Sequence, residues 1–237
     1  VKTHLAKLFN DIVEVDAAVF AGMIFVLIVD TLFKYKQGEV LLDLSAQSLA
    51  KALTQCWIRI FGAPNVIVSD QGGALASDAF AHFCEKFNIQ RRLGGSDVNQ
   101  PGGGRHTTAG VVEKHIDLVK TTMLKLHADL QEDGNENVSV PEVLQEACAA
   151  QNELLTYAGV HPATAVFGKP NKDLVDLANA SPSAILSRDP QDVAERAICL
   201  RHHAKACVLK TIAETRLARA QKSLNQFSDS KKLTNGA

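Results

Sequence analysis

The chain has 237 residues, of which 46% are hydrophobic and 22% are charged. These fractions are ordinary for globular proteins, so the composition excludes a mostly disordered or fibrous chain and predicts one good-sized domain with an appendage. The longest apolar run, Met23–Val29, is far shorter than the roughly 18 residues of a membrane span, so we expect no membrane association.

The net charge of −1 is distributed unevenly along the chain. Residues 188–237 contain ten Lys or Arg and five Asp or Glu, so this segment carries +5 and the preceding 187 residues carry −6. A net charge near zero argues weakly against a nucleic-acid partner, whereas a basic segment is a typical feature of proteins that bind one. The charge pattern therefore leaves nucleic-acid binding open.

The five cysteines are odd in number and not closely spaced, which favours a reducing, intracellular setting over a disulfide framework. Cys199, His203 and Cys207 recur every four residues, but on one straight helix they form a row, which suits tetrahedral zinc poorly. The chain starts at Val1 and shows no signal-peptide pattern, so we expect it to be cut from a longer polyprotein.

The first third of the chain predicts a β-hairpin, a third strand and a helix. Two β-prone segments, 12–17 and 23–30, are separated by a short turn, and a third strand is expected around 38–42. Ser45 is then predicted to cap a helix whose apolar residues recur with a period near 3.6 and which ends at Gly62.

The segment Val66–Val68 is short and entirely apolar, so we expect a buried strand there. This strand delivers Asp70 to its C-terminal end, where ligand sites gather in α/β folds. A helix over 77–87 and a short strand over 89–93 follow. Together these segments predict an α/β fold with a five-stranded mixed sheet flanked by helices.

A glycine-rich segment precedes the longest helical pattern of this domain. Residues 94–104 include five glycines and are typical of a surface loop. Thr107-Thr108 then offers an N-cap for a helix that is expected to end near Gly134 and that carries Glu113 in its first turns.

The last part of the chain is also predicted to be helical. Pro141 opens a helix that is expected to run through Tyr157, and residues 171–190 have the composition of a linker. Residues 191–225 repeat Ala and basic residues at helical spacing, which predicts a long helix extending from the body. We expect domain boundaries at 1–172 for the core and 173–237 for the linker and basic helix.

Three acidic residues stand out by their placement on these elements. Asp16 lies within the first strand, Asp70 just after the fourth, and Glu113 near the start of the long helix. Buried carboxylates are costly unless they are paired or bound to a cation, and converging carboxylate oxygens suit hard divalent ions. Two such ions sharing a bridging carboxylate, for which Asp16 is the candidate, form a phosphoryl-transfer site.

The same three residues have a structural explanation that spacing alone leaves open. Asp16 could be a polar residue of an edge strand, and Asp70 could cap a turn. Glu113 could be an exposed first-turn carboxylate that the helix dipole favours.

Several motifs, in order and spacing, resemble the catalytic core of retrotransposon and retroviral integrases over about residues 8 to 172. Single motifs of this kind are weak evidence, whereas several in the right order are jointly specific. They are Val13-Glu14-Val15-Asp16, Ile28-Val29-Asp30 with Lys34-Tyr35, Phe61-Gly62-Ala63-Pro64, Val68-Ser69-Asp70-Gln71-Gly72-Gly73, Gly110-Val111-Val112-Glu113-Lys114, and the closing Thr156-Tyr157, His161-Pro162 and Val166-Phe167-Gly168-Lys169-Pro170.

The resemblance implies a ribonuclease H-like fold, DNA 3′-end processing and strand transfer, and oligomerisation. It maps the catalytic and metal-binding acids of this family, which use Mg²⁺ or Mn²⁺, to Asp16, Asp70 and Glu113, and it excludes Asp30. It also implies DNA as partner, no organic cofactor, and an intracellular location, in the nucleus when host DNA is the target and otherwise in a cytoplasmic particle.

The chain departs from the family pattern in three places. The gap between Asp70 and Glu113 is longer than usual, at 42 residues, although extra loop residues cost little entropy. Leu75 replaces the usual aromatic residue after the Ser-Asp motif, and Gly102-Gly103-Gly104-Arg105-His106 replaces a Pro-rich approach to the Glu. Neither the upstream His/Cys zinc module nor a complete downstream basic domain is present.

Basic residues expected near the three acids are the candidates for DNA contact, because phosphates dominate affinity for DNA. Each could instead belong to an ordinary solvated surface. His106 and His115 are expected to be packed or capping residues, without a role in proton transfer. The candidate DNA-binding residues are Arg91, Arg92, Arg105, Lys114 and Lys120.

Two alternatives to an integrase remain at this point. The first is a related nuclease that only hydrolyses DNA, which differs from an integrase in giving no joined products. The second is an inactive, domesticated core that acts as a DNA-binding or protein-binding module. Retention of all three acids argues against the second alternative.

Overall fold

The computed structural model describes residues 5–71, 73–94, 110–132, 138–169 and 193–234, with the side chains of the last range described over 196–223. The glycine-rich loop, Arg105, the Thr107-Thr108 cap and the predicted linker at 171–190 lie outside the described residues. Among the described helices, none combines the length and the apolar character needed to cross a membrane.

A five-stranded mixed sheet forms the centre of the fold, in the order β3-β2-β1-β4-β5. β1 and β2 pair antiparallel, as do β2 and β3, whereas β1 pairs parallel with β4, and β4 with β5. The sheet predicted from the sequence is therefore confirmed. The strands are β1 Ile12–Phe20, β2 Met23–Asp30, β3 Lys36–Leu41, β4 Val66–Ser69 and β5 Gln90–Leu93.

The β1–β2 hairpin turns at Ala21 and Gly22, whose φ angles are 48° and 78°. A two-residue turn with both φ angles positive matches the right-handed twist of the flanking strands. This tight turn lets β2 pair with β1 over the full length of β2, from Asp30 opposite Val13 to Met23 opposite Phe20.

The helices surround the sheet, and three of them begin at serine side chains: Ser45 at α1, Ser77 at α3 and Ser139 at α5. Ser45 and Ser77 each accept a hydrogen bond from the backbone N–H three residues later, as the sequence predicted for Ser45. The helices are α1 Ala46–Leu53, which continues through a π-helical turn, Thr54–Ile58, into α2 Arg59–Phe61, then α3 Asp78–Lys86, α4 Gly110–Glu132, α5 Val140–Leu154, α6 Pro162–Phe167 and α7 Val193–Thr234.

Two helix ends differ from the sequence prediction. α5 ends at Leu154 rather than at Tyr157, because the chain turns there and Tyr157 instead forms a β-bridge with Val160. α7 continues to Thr234, beyond the predicted end at Asn225.

Each face of the sheet packs against a different set of helices. Val13 and Val15 of β1 belong to a core formed with α1 and α3, in which Trp57 is fully buried. Phe25 and Leu27 of β2 belong to a second core on the opposite face, formed with α4, α5 and α7.

The C-terminal helix is part of the second core. Leu200, Ala204 and Val208 of α7 are buried in the same cluster as the apolar residues of α4 and α5. Charged side chains border this contact: Arg201 pairs with Glu146 and Glu153 of α5, and Lys205 also pairs with Glu153. α7 is therefore docked on the body along its first half, while residues 213–223 are exposed.

Candidate functional site

Asp16 lies in the middle of β1, and Asp70 directly follows the neighbouring strand β4. The parallel ladder between β1 and β4 pairs Glu14 with Val68. Continuing this register by two residues sets Asp16 beside Asp70, which directly follows β4. The structure therefore brings together two of the three acids that the sequence singled out.

Glu113 approaches the same place from the helix that covers this face of the sheet. Successive side chains of a strand point to opposite faces, and Val13 and Val15 pack against α1 and α3, so Glu14 and Asp16 point towards α4. Glu113 lies in the first turn of α4. All three acids therefore lie on the same side of the sheet.

The electrostatics of Asp16 reflect this arrangement. Burial raises the pKa of the Asp16 carboxyl above its usual range, and the negative charges of Asp70 and Glu113 raise it further. The N–H of Ala17, which donates to Asp16 Oδ1 at 2.7 Å, and the Lys120 ammonium oppose this rise. Asp70 and Glu113 are thus close enough to Asp16 to disfavour its charge.

The chemistry of these donors fits a divalent cation. Carboxylates that repel one another are stabilised by a shared positive ion, and hard ions such as Mg²⁺ prefer carboxylate oxygens. Within the ranges that the structure describes, however, no group of three or more His, Cys, Asp or Glu side chains is already arranged to hold a metal ion. Binding would therefore require the carboxylates of Asp16, Asp70 and Glu113 to draw closer together.

Glu14 has a role at the site that the sequence analysis did not assign. Its side chain is 6% exposed, and its Oε2 accepts hydrogen bonds from the backbone N–H groups of Val111 at 3.1 Å and Val112 at 2.8 Å. Burial raises the pKa of the Glu14 carboxyl, while these N–H groups and the Lys34 ammonium lower it. The sequence signal for this role was an acidic residue in the middle of a mostly apolar strand. The sequence could not identify its hydrogen-bond partners, because they lie almost a hundred residues later.

Asp30, the remaining acid at the end of a central strand, has a structural role. It is fully buried, and its carboxylate accepts hydrogen bonds from the backbone N–H groups of Asn10 at 3.0 Å, Leu32 at 3.0 Å and Phe33 at 2.6 Å. Burial raises the pKa of Asp30, and these hydrogen bonds oppose the rise. Its oxygens hold the loop after β2, in keeping with its exclusion from the metal-binding set.

The predicted DNA-binding residues have different surroundings. Lys120 lies near enough to Asp16 to lower its pKa, and Lys114 is exposed in the first turns of α4. Arg91 donates from Nη1 to the carbonyl oxygens of Ser77 at 2.8 Å and Leu75 at 3.3 Å, so part of its guanidinium supports the start of α3. Arg92 donates to the Gln90 side chain at 3.2 Å.

His115 is a packed residue, as one of the sequence expectations had it. The side chain is 3% exposed, its ring lies 5.7 Å from the Tyr157 ring, and its Nδ1 has no hydrogen-bond partner in the described part of the chain. Burial, together with the positive charges of Lys36, Lys34 and Lys114, lowers the pKa of His115 to about 2. A neutral imidazole therefore lies on the buried side of α4, near the start of that helix.

The fold is similar to that of retroviral integrase catalytic cores. The HTLV-2 integrase catalytic core domain in complex with magnesium, in its dimeric form, gives a TM-score of 0.54 at 20% identity and matches 67% of this chain and 97% of its own. The BIV integrase catalytic core gives a TM-score of 0.52 at 19% identity, over 67% of this chain and 95% of its own.

A larger assembly gives a comparable match. The simian T-cell lymphotropic virus intasome, bound to the PP2A regulatory subunit B56γ, gives a TM-score of 0.57 at 23% identity over 75% of this chain, which spans 60% of the length of that integrase chain. No protein family and no curated protein matches the sequence. These likenesses confirm the expected ribonuclease H-like fold of an integrase core.

Proposed function

We propose that this chain is the catalytic core of a retroelement integrase, which processes DNA 3′ ends and joins them to target DNA with bound Mg²⁺ or Mn²⁺. The observation that supports this function is the approach of Asp16, Asp70 and Glu113 to one another on one side of the sheet. The same fold in retroviral integrase cores, one of them in complex with magnesium, is consistent with it.

Asp16, Asp70 and Glu113 are the residues that would hold the metal. Bound there, divalent ions supply the activation of an attacking oxygen and the stabilisation of a leaving oxygen at a DNA phosphate. Asp16, which is close enough to both other acids to be affected by their charges, is the candidate for a shared ligand. Burial and the charges of Asp70 and Glu113 raise its pKa, so a bound cation would favour the charged form of Asp16.

The other residues of the site orient the DNA. Lys114 and Lys120, on the first three turns of α4, would offer ammonium groups to DNA phosphates. Arg92 extends the basic surface from β5. Arg91 points to the α3 side of the sheet, opposite the three acids, so its proposed DNA contact would be at the edge of the site. Arg105, outside the described residues, remains part of this proposal.

The proposed function also implies the partners, the oligomeric state and the location of this chain. DNA ends and target DNA are the partners, and the chain acts as a homo-oligomer, as the dimeric and trimeric integrase cores with this fold do. The proposed location is intracellular, and nuclear during joining. The proposed catalytic core spans 1–172 and is followed by the linker and the basic helix over 173–237, and the first half of that helix packs against the core.

Substitution of Asp70 tests the function. Asp70→Asn removes one carboxylate charge with little change in shape, so we expect metal-dependent joining of a pre-processed DNA end to fall by at least about a hundredfold while the fold is retained. Asp78→Asn, at an exposed acid in the first turn of α3, is the matched control and keeps its activity. Unchanged joining by Asp70→Asn would remove this residue from the site.

The same assay separates the proposal from its alternatives. A chain that cleaves DNA but yields no joined product is a nuclease. A chain that binds DNA without any metal-dependent cleavage is an inactive module.

A further inference from the structure

The start of α4 is held by a side chain from the strand that carries Asp16. Glu14 lies two residues before Asp16 on β1 and points to the same face of the sheet. Its Oε2 accepts hydrogen bonds from the N–H groups of Val111 and Val112, and Glu113 is the next residue of the helix. One buried carboxylate therefore connects the backbone of one proposed metal-binding residue to that of another.

The energetics favour this connection. The first N–H groups of a helix have no partner within the helix, and the helix dipole favours a negative charge beside them. Hydrogen bonds to a carboxylate are roughly twice as strong as neutral ones. Sliding or rotating the first turn of α4 would break both bonds to Glu14 and leave a buried carboxylate without them.

The other capped helices of the described ranges are held differently. Ser45 and Ser77 cap α1 and α3 from the residue directly before each helix, and Ser139 does the same for α5. A local cap fixes a helix only to the chain that precedes it. Glu14 instead fixes α4 to β1, across 97 residues of sequence.

We propose that Glu14 is a positioning residue, which sets the distance between Glu113 and Asp16 by holding the first turn of α4 against β1. This inference rests on the proposed function, because it assigns Glu14 a task only if the two acids share a metal ion. Glu14 itself does not touch the metal or the DNA in this arrangement.

The experiment compares two substitutions in the full chain, with Mn²⁺ alone as the probe. Glu14→Leu keeps the size of the side chain but removes both acceptors, so we expect the Mn²⁺ dissociation constant to rise at least about tenfold. Glu14→Gln keeps an acceptor oxygen in the same place and is expected to bind within about threefold of the wild-type chain. Calorimetry or the electron paramagnetic resonance signal of free Mn²⁺ measures the affinity.

A matched control separates positioning from stability. Ser139→Ala removes the cap of α5, far from the site, and is expected to lower the stability while leaving the Mn²⁺ affinity unchanged. Wild-type affinity in folded Glu14→Leu, or equal losses in Glu14→Leu and Ser139→Ala, would overturn the inference. Failure of the wild-type chain to bind Mn²⁺ and to join DNA would instead overturn the proposed function.

Hydrogen exchange on the unmodified chain gives a second measurement, independent of whether Glu14→Leu folds. The amide protons of Val111 and Val112 are expected to exchange at least about a hundredfold more slowly than in an unstructured peptide, although first-turn amides normally lack partners. Exchange at the rate of an unstructured peptide would show that the hydrogen bonds from Val111 and Val112 to Glu14 are absent.

Discussion

The side-chain amide of Asn152 makes both hydrogen bonds that the backbone of Lys36 offers at the free edge of the sheet. The Lys36 N–H donates to Asn152 Oδ1 at 3.0 Å, and Asn152 Nδ2 donates to the Lys36 carbonyl oxygen at 2.8 Å. The amide thus replaces a neighbouring strand beside β3. Because both residues are buried, this pair joins the edge of the sheet to α5 without water.

We expect Asn152→Ala to lower the free energy of unfolding by roughly 2–4 kcal/mol, because it leaves a buried N–H and a buried C=O of Lys36 without partners. Urea unfolding followed by circular dichroism measures the change. Gln145→Ala, at an exposed position of the same helix, is the control and is expected to have little effect. Equal stability of the two variants would contradict the structural role of the amide.

The side chain of Lys36 predicts a pH dependence of stability. Lys36 is fully buried, its Nζ donates to Gln151 Oε1 at 3.0 Å, and burial lowers its pKa from 10.5 to about 8. Between these values the unfolded chain binds a proton that the folded chain does not, so the stability contributed at this position rises with pH by up to about 3 kcal/mol.

Lys36→Met isolates this contribution from other titrating groups. The difference in unfolding free energy between the wild-type chain and Lys36→Met is expected to rise from pH 8 to pH 10.5, and Lys51→Met, at an exposed lysine of α1, is the control. Urea titrations at several pH values measure it. A flat difference for Lys36→Met would mean that the ammonium keeps its charge inside the fold.

Asp16→Asn is expected to have opposite effects on the metal-free and the metal-bound chain. Without metal the variant is more stable than the wild-type chain, because it removes a partly buried charge that Asp70 and Glu113 disfavour. With Mg²⁺ at a hundred times its dissociation constant, the wild-type chain gains about 2.7 kcal/mol, and the variant gains much less.

Thermal or urea unfolding with and without Mg²⁺ measures both effects of Asp16→Asn. Asp117→Asn, one turn after Glu113 and exposed, keeps the wild-type response. If Mg²⁺ stabilises Asp16→Asn as strongly as the wild-type chain, Asp16 is not a ligand.

Glu153 of α5 and Glu214 of α7 each form an ion pair at the C-terminal helix. We expect their substitution to lower the free energy of unfolding by different amounts. The Glu153 side chain is 9% exposed and pairs with Arg201 at 3.0 Å and with Lys205 at 2.7 Å, so Glu153→Ala is expected to cost about 3 kcal/mol because it removes a largely buried carboxylate that two partly buried cations share. The Glu214 side chain is 64% exposed in its pair with Lys125, so Glu214→Ala is expected to cost less than about 1 kcal/mol. Equal losses in chemical unfolding would contradict this ranking.

Local signals explain why much of the fold could be predicted from the sequence. Ser45 and Ser77 stand where their helices begin, because a hydroxyl before an apolar stripe satisfies the first N–H groups. The apolar run at Val66 to Val68 predicted a buried strand, and its register with β1 sets Asp70 beside Asp16. Such features depend on neighbours a few residues away.

Features that depend on distant partners could not be predicted in this way. The capping role of Glu14 requires knowing that α4 begins above β1, and the role of Asn152 requires knowing that β3 is an edge strand. The π-helical turn at Thr54–Ile58 inserts one residue into an otherwise regular helical pattern, so periodicity alone did not reveal it. The early end of α5 at Leu154 reflects the bridge that Tyr157 makes.

The packing of α7 bears on how this protein can be shortened. Leu200, Ala204, Cys207 and Val208 fill the same cluster as Met123 of α4, although they follow the expected end of the core at residue 172. A fragment that ends at that boundary exposes apolar side chains of α4 and α5 to solvent. We expect this fragment to self-associate, which analytical ultracentrifugation would measure. Laboratories preparing a minimal version should therefore retain the chain at least through the buried half of α7.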